Sequence, residues 1–158
     1  MKNKYFALFF VTGLMAVVTS AARGSDLDEI AGSWSASKTN ATGASYKQTL
    51  EFKKDHFVFQ ILDNSGGTVL YADGKVKVDR AGDLRVAKLT DIQYGKSKDD
   101  LQSADDDRTD IFTVRDDKLI LATNFDKERD SQEPQTETYV KVIAKAPAAD
   151  TAKPKDSK

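Results

Sequence analysis

The sequence predicts an all-β protein, an antiparallel up-and-down β-barrel of seven or eight strands. Three observations support this fold class. Apolar and polar residues alternate with a period of two along most of the segment 26–142. Short polar turns, several of them containing glycine, separate these segments. Helical spacing of apolar residues extends over only one turn, at residues 27–30. A barrel is favoured over a sandwich because sequential pairing that closes on itself removes exposed strand edges.

Residues 1–22 are typical of a secretory signal peptide. Two lysines precede an apolar stretch at residues 5–18, and small residues follow at 19–22. The apolar stretch is shorter than the roughly 20 residues that a membrane-spanning helix needs. We therefore expect cleavage after Ala21 or Ala22, export to the periplasm or the medium, and no membrane anchor in the mature chain. An uncleaved N-terminal anchor is the alternative.

The barrel domain is assigned to residues 25–143, and residues 144–158 to a disordered tail. The tail consists mainly of alanine, proline, lysine and aspartate, and it has no apolar side chain larger than alanine. Such a segment cannot bury enough apolar surface to offset the entropy lost on ordering.

Strand patterns follow one another along the domain. The second is well marked, because Tyr46, Gln48 and Leu50 alternate with polar residues. The residues Asn-Ser-Gly-Gly at 64–67 indicate a hairpin, and Asp73-Gly74 indicates a bend or bulge. Beyond the first strand at Trp34, the patterns cover residues 46–53, 57–61, 68–71 with 76–78, 84–92, 111–114, 119–122 and 138–142. Polar stretches at 95–108 and 123–137 are predicted to be loops.

One face of these strands carries the side chains that a barrel directs inward. They either line an apolar cavity for a small apolar or amphipathic molecule or fill the interior completely, since small barrels do both. The candidate interior and ligand-binding residues are Tyr46, Leu50, Phe57, Phe59, Val76, Phe112, Val114 and Leu121.

The composition excludes several function classes. The 24 basic and 25 acidic residues leave no broad basic surface, so we expect no nucleic-acid partner. The absence of cysteine excludes disulfides, thiolate nucleophiles and cysteine-bound zinc. The one histidine, His56, lies beside a turn with no nucleophile motif in the sequence. We therefore predict no catalytic residue, no cofactor and no enzymatic activity.

An acidic segment is the remaining candidate for metal binding. Calcium prefers such oxygen ligands, but the segment lacks the glycine and glutamate at the positions that an EF-hand requires. We expect a solvated loop without a metal site, with weak calcium binding as the alternative. Its aspartates are Asp99, Asp100, Asp105, Asp106, Asp107 and Asp110.

The octet Leu27-Asp-Glu-Ile-Ala-Gly-Ser-Trp34 places a short turn before a Gly-x-Trp motif. Here the sequence resembles the lipocalins and their calycin relatives, and in particular the small exported lipocalin-like domains of planctomycete bacteria. The resemblance extends over residues 27–142. It implies that Trp34 closes the floor of the barrel, that Gly32 lets the entering backbone pass close by, and that Lys141 covers the indole.

The resemblance implies a non-enzymatic protein that binds a small molecule inside the barrel. Two alternatives remain open. A protein partner is expected if the chain is a secreted-protease inhibitor that inserts residues 23–26 into the enzyme. A structural envelope protein with a packed barrel is the other alternative. The sequence leaves the oligomeric state open.

Overall fold

The structure is a computed structural model that describes residues 26–127 and 133–143. The predicted signal peptide at 1–22 and the predicted tail at 144–158 lie outside the described residues. No helix within the described ranges is long and apolar enough to span a bilayer. The elements are α1 (Asp26–Ile30), β1 (Gly32–Thr39), β2 (Ser45–Lys53), β3 (His56–Leu62), β4 (Thr68–Ala81), β5 (Leu84–Gly95), β6 (Leu101–Ser103), β7 (Arg108–Arg115), β8 (Lys118–Thr123) and β9 (Gln135–Lys141).

Eight of these strands form a closed antiparallel barrel, which confirms the predicted all-β class and architecture. Each strand from β1 to β5 pairs with the next one along the chain, and β7, β8 and β9 continue the circuit from β5. Strand β9 returns to β1 through the pairs Trp34–Lys141 and Ser35–Val140, which closes the barrel. The short strand β6 pairs only with the end of β5 and stands outside the circuit.

The predicted bend at Asp73-Gly74 is a shift of register within one continuous strand, β4. A Cβ atom at Gly74 would lie 2.7 Å from the carbonyl oxygen of Thr90 and 2.8 Å from Cε1 of Phe57. Glycine is therefore required here because β5 and the core side chain approach the backbone too closely for any larger residue.

Two predicted loops contain strand residues, which corrects the sequence-based boundaries. The stretch 95–108 contains β6, and β9 begins at Gln135 instead of Thr138. Both segments consist mostly of polar residues, so they were not recognised as strands. Strand pairing depends on backbone hydrogen bonds, which the alternation pattern does not reveal. Gln135 pairs with Thr123 of β8 in register.

The two ends of the barrel differ. At the lower end lie α1 and the tight turns β2–β3, β4–β5 and β7–β8, whereas the connection at 96–107 and the residues that follow β8, 124–127, lie at the upper end. The core occupies the middle and lower interior. Its buried apolar residues are Ile30, Trp34, Leu50, Phe52, Phe57, Val76, Ala87, Leu89, Ile92, Phe112, Leu119, Leu121 and Tyr139.

Candidate functional site

Trp34 lies at the lower end of the interior and is fully buried, with 0% of its surface exposed. Its Nε1 donates a hydrogen bond of 2.7 Å to the carbonyl oxygen of Ile30, the last residue of α1. The indole N–H is thereby satisfied inside an apolar environment, as a buried tryptophan requires. The bond also fastens the short helix to the floor of the barrel.

Lys141 was predicted to cover this indole, and its Nζ lies 5.3 Å from the centroid of the ring. This distance is within the range of a cation–π contact. Gly32 has a positive φ of 112°, and a Cβ there would lie 3.7 Å from Cε of Lys141. The glycine is therefore needed for its backbone conformation at the start of β1.

Ion pairs hold α1 against the lower end of β4 and β5. Nε of Arg80 donates a 2.6 Å hydrogen bond to Oδ2 of Asp26, and a second guanidinium nitrogen bonds the other carboxylate oxygen. Arg85 pairs with Glu29 across the same boundary. The bidentate geometry of the first pair fixes the orientation of the helix as well as its position. The lower end is thus closed by a helix with apolar and ionic attachments.

The predicted interior residues lie where the alternation placed them. Leu50, Phe57, Val76, Phe112 and Leu121 belong to the buried core, and Phe59 and Val114 are partly buried against it. Tyr46 is half-buried higher up, opposite Lys38 in the β1–β2 register. The apolar members therefore pack together towards the lower half of the interior, and Tyr46 stands apart among polar neighbours.

Five polar side chains form an interior group that we call the upper polar cluster: Lys38, Gln48, Asp110, Glu137 and Tyr139. The Lys38 ammonium pairs with Oε1 of Glu137. The Tyr139 hydroxyl donates a 2.5 Å hydrogen bond to Oε2 of the same carboxylate and lies 3.2 Å from the Gln48 amide oxygen. A hydroxyl has one proton, and the shorter, charge-assisted bond to Glu137 takes it.

Burial raises the pKa of Tyr139 far above its ordinary value, and the hydrogen bond to Glu137 raises it further. The negative charges of Glu137 and Asp110 act in the same direction, since they oppose a phenolate. Tyr139 is therefore a permanent proton donor at neutral pH. It holds the Glu137 carboxylate in one orientation beneath the upper end.

A groove of about 400 Å³ lies at the upper end on the other side of the barrel. Residues paired across antiparallel strands point to the same face of the sheet. Leu50 points inward and pairs with Phe59, which pairs with Ala72, which pairs with Tyr94. Tyr94 is therefore on the interior face of the rim. The residues that line the groove are Val69, Leu70, Tyr94, Gly95, Lys96, Asp100 and Gln102.

The circuit places these two features on opposite walls. Strand β1 is four strands away from β5 in either direction, and β9 is likewise opposite β4. Lys38, Glu137 and Tyr139 belong to the β1–β9 wall, whereas Leu70 and Tyr94 belong to the β4–β5 wall. The upper interior thus has the upper polar cluster on one side and, on the other, a groove in which Val69, Leu70 and Tyr94 lie beside Lys96, Asp100 and Gln102.

The other candidates from the sequence lie elsewhere. His56 is exposed at the lower end, where its Nδ1 is 2.9 Å from Oδ1 of Asp55. This contact lowers the pKa of the Asp55 carboxyl. Among residues 26–127 and 133–143, no group of three or more acidic or histidine side chains is arranged to hold a metal ion.

Asp110 was assigned to the solvated acidic loop, and this assignment is wrong. The residue lies on β7 and is buried, next to the apolar Ala87 of β5. Elsewhere in the acidic segment, Asp106 pairs with Lys127. The run of aspartates concealed the fact that the last of them belongs to a strand with an inward face.

The sequence analysis missed Lys38, Glu137 and Tyr139 as site residues. The signal was present, since Lys38 is four residues after Trp34 and Glu137 four residues before Lys141, on the same faces by the period of two. Lys38 and Glu137 were not predicted as interior residues because the inward faces of the strands were expected to be apolar.

Three comparisons with known proteins found no significant match among protein-family models, curated proteins or solved structures.

Proposed function

We propose that this protein is an exported, non-enzymatic, lipocalin-like carrier that binds a small amphipathic molecule in the upper interior of the barrel. The single observation that carries the proposal is that the upper interior has the upper polar cluster on one wall and the side chains of Leu70 and Tyr94, in the groove, on the opposite wall. An amphipathic molecule satisfies both walls at once, whereas a wholly apolar or wholly polar molecule leaves one of them without a partner.

The closed lower end supports binding from above. Trp34, α1 and the buried core fill the lower interior, so we place the apolar part of a ligand in the groove, along Leu70 and Tyr94. The upper polar cluster supplies the few fixed polar groups that orient a ligand in such sites. Lys38 is the accessible member, since 28% of its side chain is exposed against 12% for Glu137.

The protease-inhibitor alternative is less well supported. Asp26, the last residue of the segment that would insert into an enzyme, belongs to α1 and is held by Arg80. A segment that projects from the barrel would therefore have to end before Asp26.

The test of the proposal is binding of a neutral fluorescent probe, N-phenyl-1-naphthylamine, to the purified mature chain. We expect saturable binding with a blue shift and increased emission, together with a co-purified small molecule in native mass spectra of protein taken from its own compartment. Absence of both would contradict the proposal.

A pair of variants tests whether the binding site lies in the upper interior. Leu70→Lys introduces a charge into the groove and should weaken probe binding at least tenfold. Val140→Lys is the matched control, because Val140 is 53% exposed on β9 and its neighbour Tyr139 points inward. The control should bind as the wild type does. Equal loss in both variants, or in neither, would place the probe elsewhere.

Export is tested separately by N-terminal sequencing of the secreted protein. The expected first residue is Ala22 or Arg23. Material that still begins at Met1 would show that the leader is retained.

A further inference from the structure

We infer that the polar end of the ligand is an uncharged hydrogen-bond acceptor, such as a hydroxyl or carbonyl group, and not a carboxylate or an amine. The inference rests on the proposed function and names the chemical class that the site selects. It follows from the hydrogen-bonding capacity and the charge balance around Lys38.

Donors are available at the upper polar cluster. An ammonium has three protons, and within the described residues Glu137 is the one partner of Lys38. Tyr46 faces Lys38 in the β1–β2 register and interacts electrostatically with Tyr139. Every buried side-chain nitrogen and oxygen in the described ranges has a partner, and Tyr46 is half-buried, with no hydrogen bond from its hydroxyl to another described residue. Lys38 and Tyr46 can therefore both donate to a ligand.

The charge of Lys38 is already balanced. Glu137 is nearly buried and holds the ammonium through Oε1. A ligand carboxylate at this place would lose water beside the negative charge of Glu137. Its counter-charge would be Lys38, which already pairs with Glu137. The desolvation of an ion is repaid only by a full, well-placed counter-charge. A neutral acceptor has a far smaller desolvation cost and takes the same donors.

A ligand amine is disfavoured for the complementary reason. Both oxygens of Glu137 are occupied, Oε1 by Lys38 and Oε2 by Tyr139. A cation would be repelled by Lys38, and the Glu137 carboxylate that would have to stabilise it already accepts from Lys38 and Tyr139. Lys38 and Glu137 thus act against both signs of charge, and the second carboxylate of the cluster, Asp110, is buried and has a contact of its own.

The experiment measures displacement of N-phenyl-1-naphthylamine by 1-decanol, decanoate and decylammonium below their micelle concentrations at pH 7.5. We expect decanol to bind at least tenfold more tightly than either charged probe. Because decanol partitions better into any apolar site, the decisive quantity is how the ratio of decanol to decanoate affinity changes between the wild type and a charge variant.

Glu137→Gln is that variant. It frees the charge of Lys38 while keeping an acceptor for Tyr139, so decanoate should bind at least tenfold more tightly and decanol should change less than threefold. Asp91→Asn is the matched control, because Asp91 pairs with Lys75 at an exposed position of β5 and carries the same charge change. Its decanol-to-decanoate ratio should equal that of the wild type.

Tyr46→Phe tests the second donor without changing any charge. It should weaken decanol binding at least threefold, and by more than it weakens probe binding. An unchanged decanol affinity would overturn the donor role of Tyr46.

The possible failures are distinguishable. If decanoate binds the wild type as tightly as decanol, or if Glu137→Gln leaves the ratio unchanged, the inference is overturned while the carrier function stands. If none of the probes binds the wild type, the carrier function is contradicted and the inference with it.

Discussion

Trp34 is held by packing, by a hydrogen bond and by a cation–π contact, which differ in strength. Its burial removes a large aromatic surface from water, and its N–H is bound by Ile30. The cation of Lys141 adds a contact at the rim of the floor, where the lysine is exposed to solvent. Packing should therefore dominate the stability of the floor, with the cation as a minor contribution.

Trp34→Ala should lower the free energy of unfolding by about 3–5 kcal/mol, the usual cost of emptying a large aromatic site in a core. Lys141→Met keeps the alkyl stem and removes the charge, so it should cost only about 0.5–1 kcal/mol. Urea unfolding followed by circular dichroism measures both values. Similar costs for the two variants would mean that the indole is not the main plug.

Tyr139 makes stability sensitive to alkaline pH. Its pKa in the folded protein is raised, so the unfolded chain releases this proton near pH 10 while the folded chain keeps it. The stabilisation is therefore complete below about pH 10 and is lost as the pH rises beyond it, by up to about 1.4 kcal/mol per pH unit.

Tyr139→Phe removes this titration and should flatten the decline between pH 9 and pH 11 relative to the wild type. The measurement is urea unfolding across that range. Lysine titration affects both proteins equally, so the difference between them isolates Tyr139. Parallel declines would show that Tyr139 ionises normally in the folded state.

At the scale of elements, α1 is too short to be stable alone, since isolated helices need about 12–15 residues. Its five residues are held by Ile30 in the core and by the pairs with Arg80 and Arg85. The helix is thus a product of tertiary contacts. Its attachment decides how well the floor is shielded from water.

Arg80→Met should reduce the free energy of unfolding by about 1 kcal/mol or less, because pairs with exposed partners contribute little. Its clearer effect is local. Loosened attachment of α1 should increase acrylamide quenching of Trp34, the only tryptophan in the chain. Lys77→Met, which removes an exposed charge from the same strand, should leave quenching unchanged.

The strand pattern allowed most elements to be predicted, and the exceptions have a common cause. Strand β6 and the start of β9 carry polar side chains, so only their backbone pairing identifies them. The bulge in β4 was recognised because Gly74 is a local signal. Features that local residue types determine were predictable, and features that a distant strand determines were not.

At the scale of the whole molecule, closure depends on β9. This strand joins β8 to β1 and contributes Glu137 and Tyr139 to the upper polar cluster. Without it, β1 and β8 would become exposed edges with unpaired backbone groups. Closure and the upper polar cluster therefore depend on the same strand.

A chain that ends at Glu133 lacks β9 and should fail to fold cooperatively. It should show no thermal transition, and it should aggregate. A chain that ends at Ile143 keeps the circuit, and its Tm should stay within about 2 °C of the full chain, because even 1 kcal/mol shifts Tm by several degrees in a domain of this size. A cooperative transition without β9 would contradict this account of closure.

The sequence by itself determined the all-β class, the barrel, the inward faces of its strands and the position of Trp34 at the start of β1. These properties depend on local alternation and turn residues, which act within a few positions of one another. Only the tertiary structure decided that Lys38 meets Glu137, 99 residues further along the chain. It also decided that Asp110 is buried and that the upper polar cluster and the groove lie on opposite walls. Such contacts depend on the register between distant strands, and registers are set by the closure of the whole circuit.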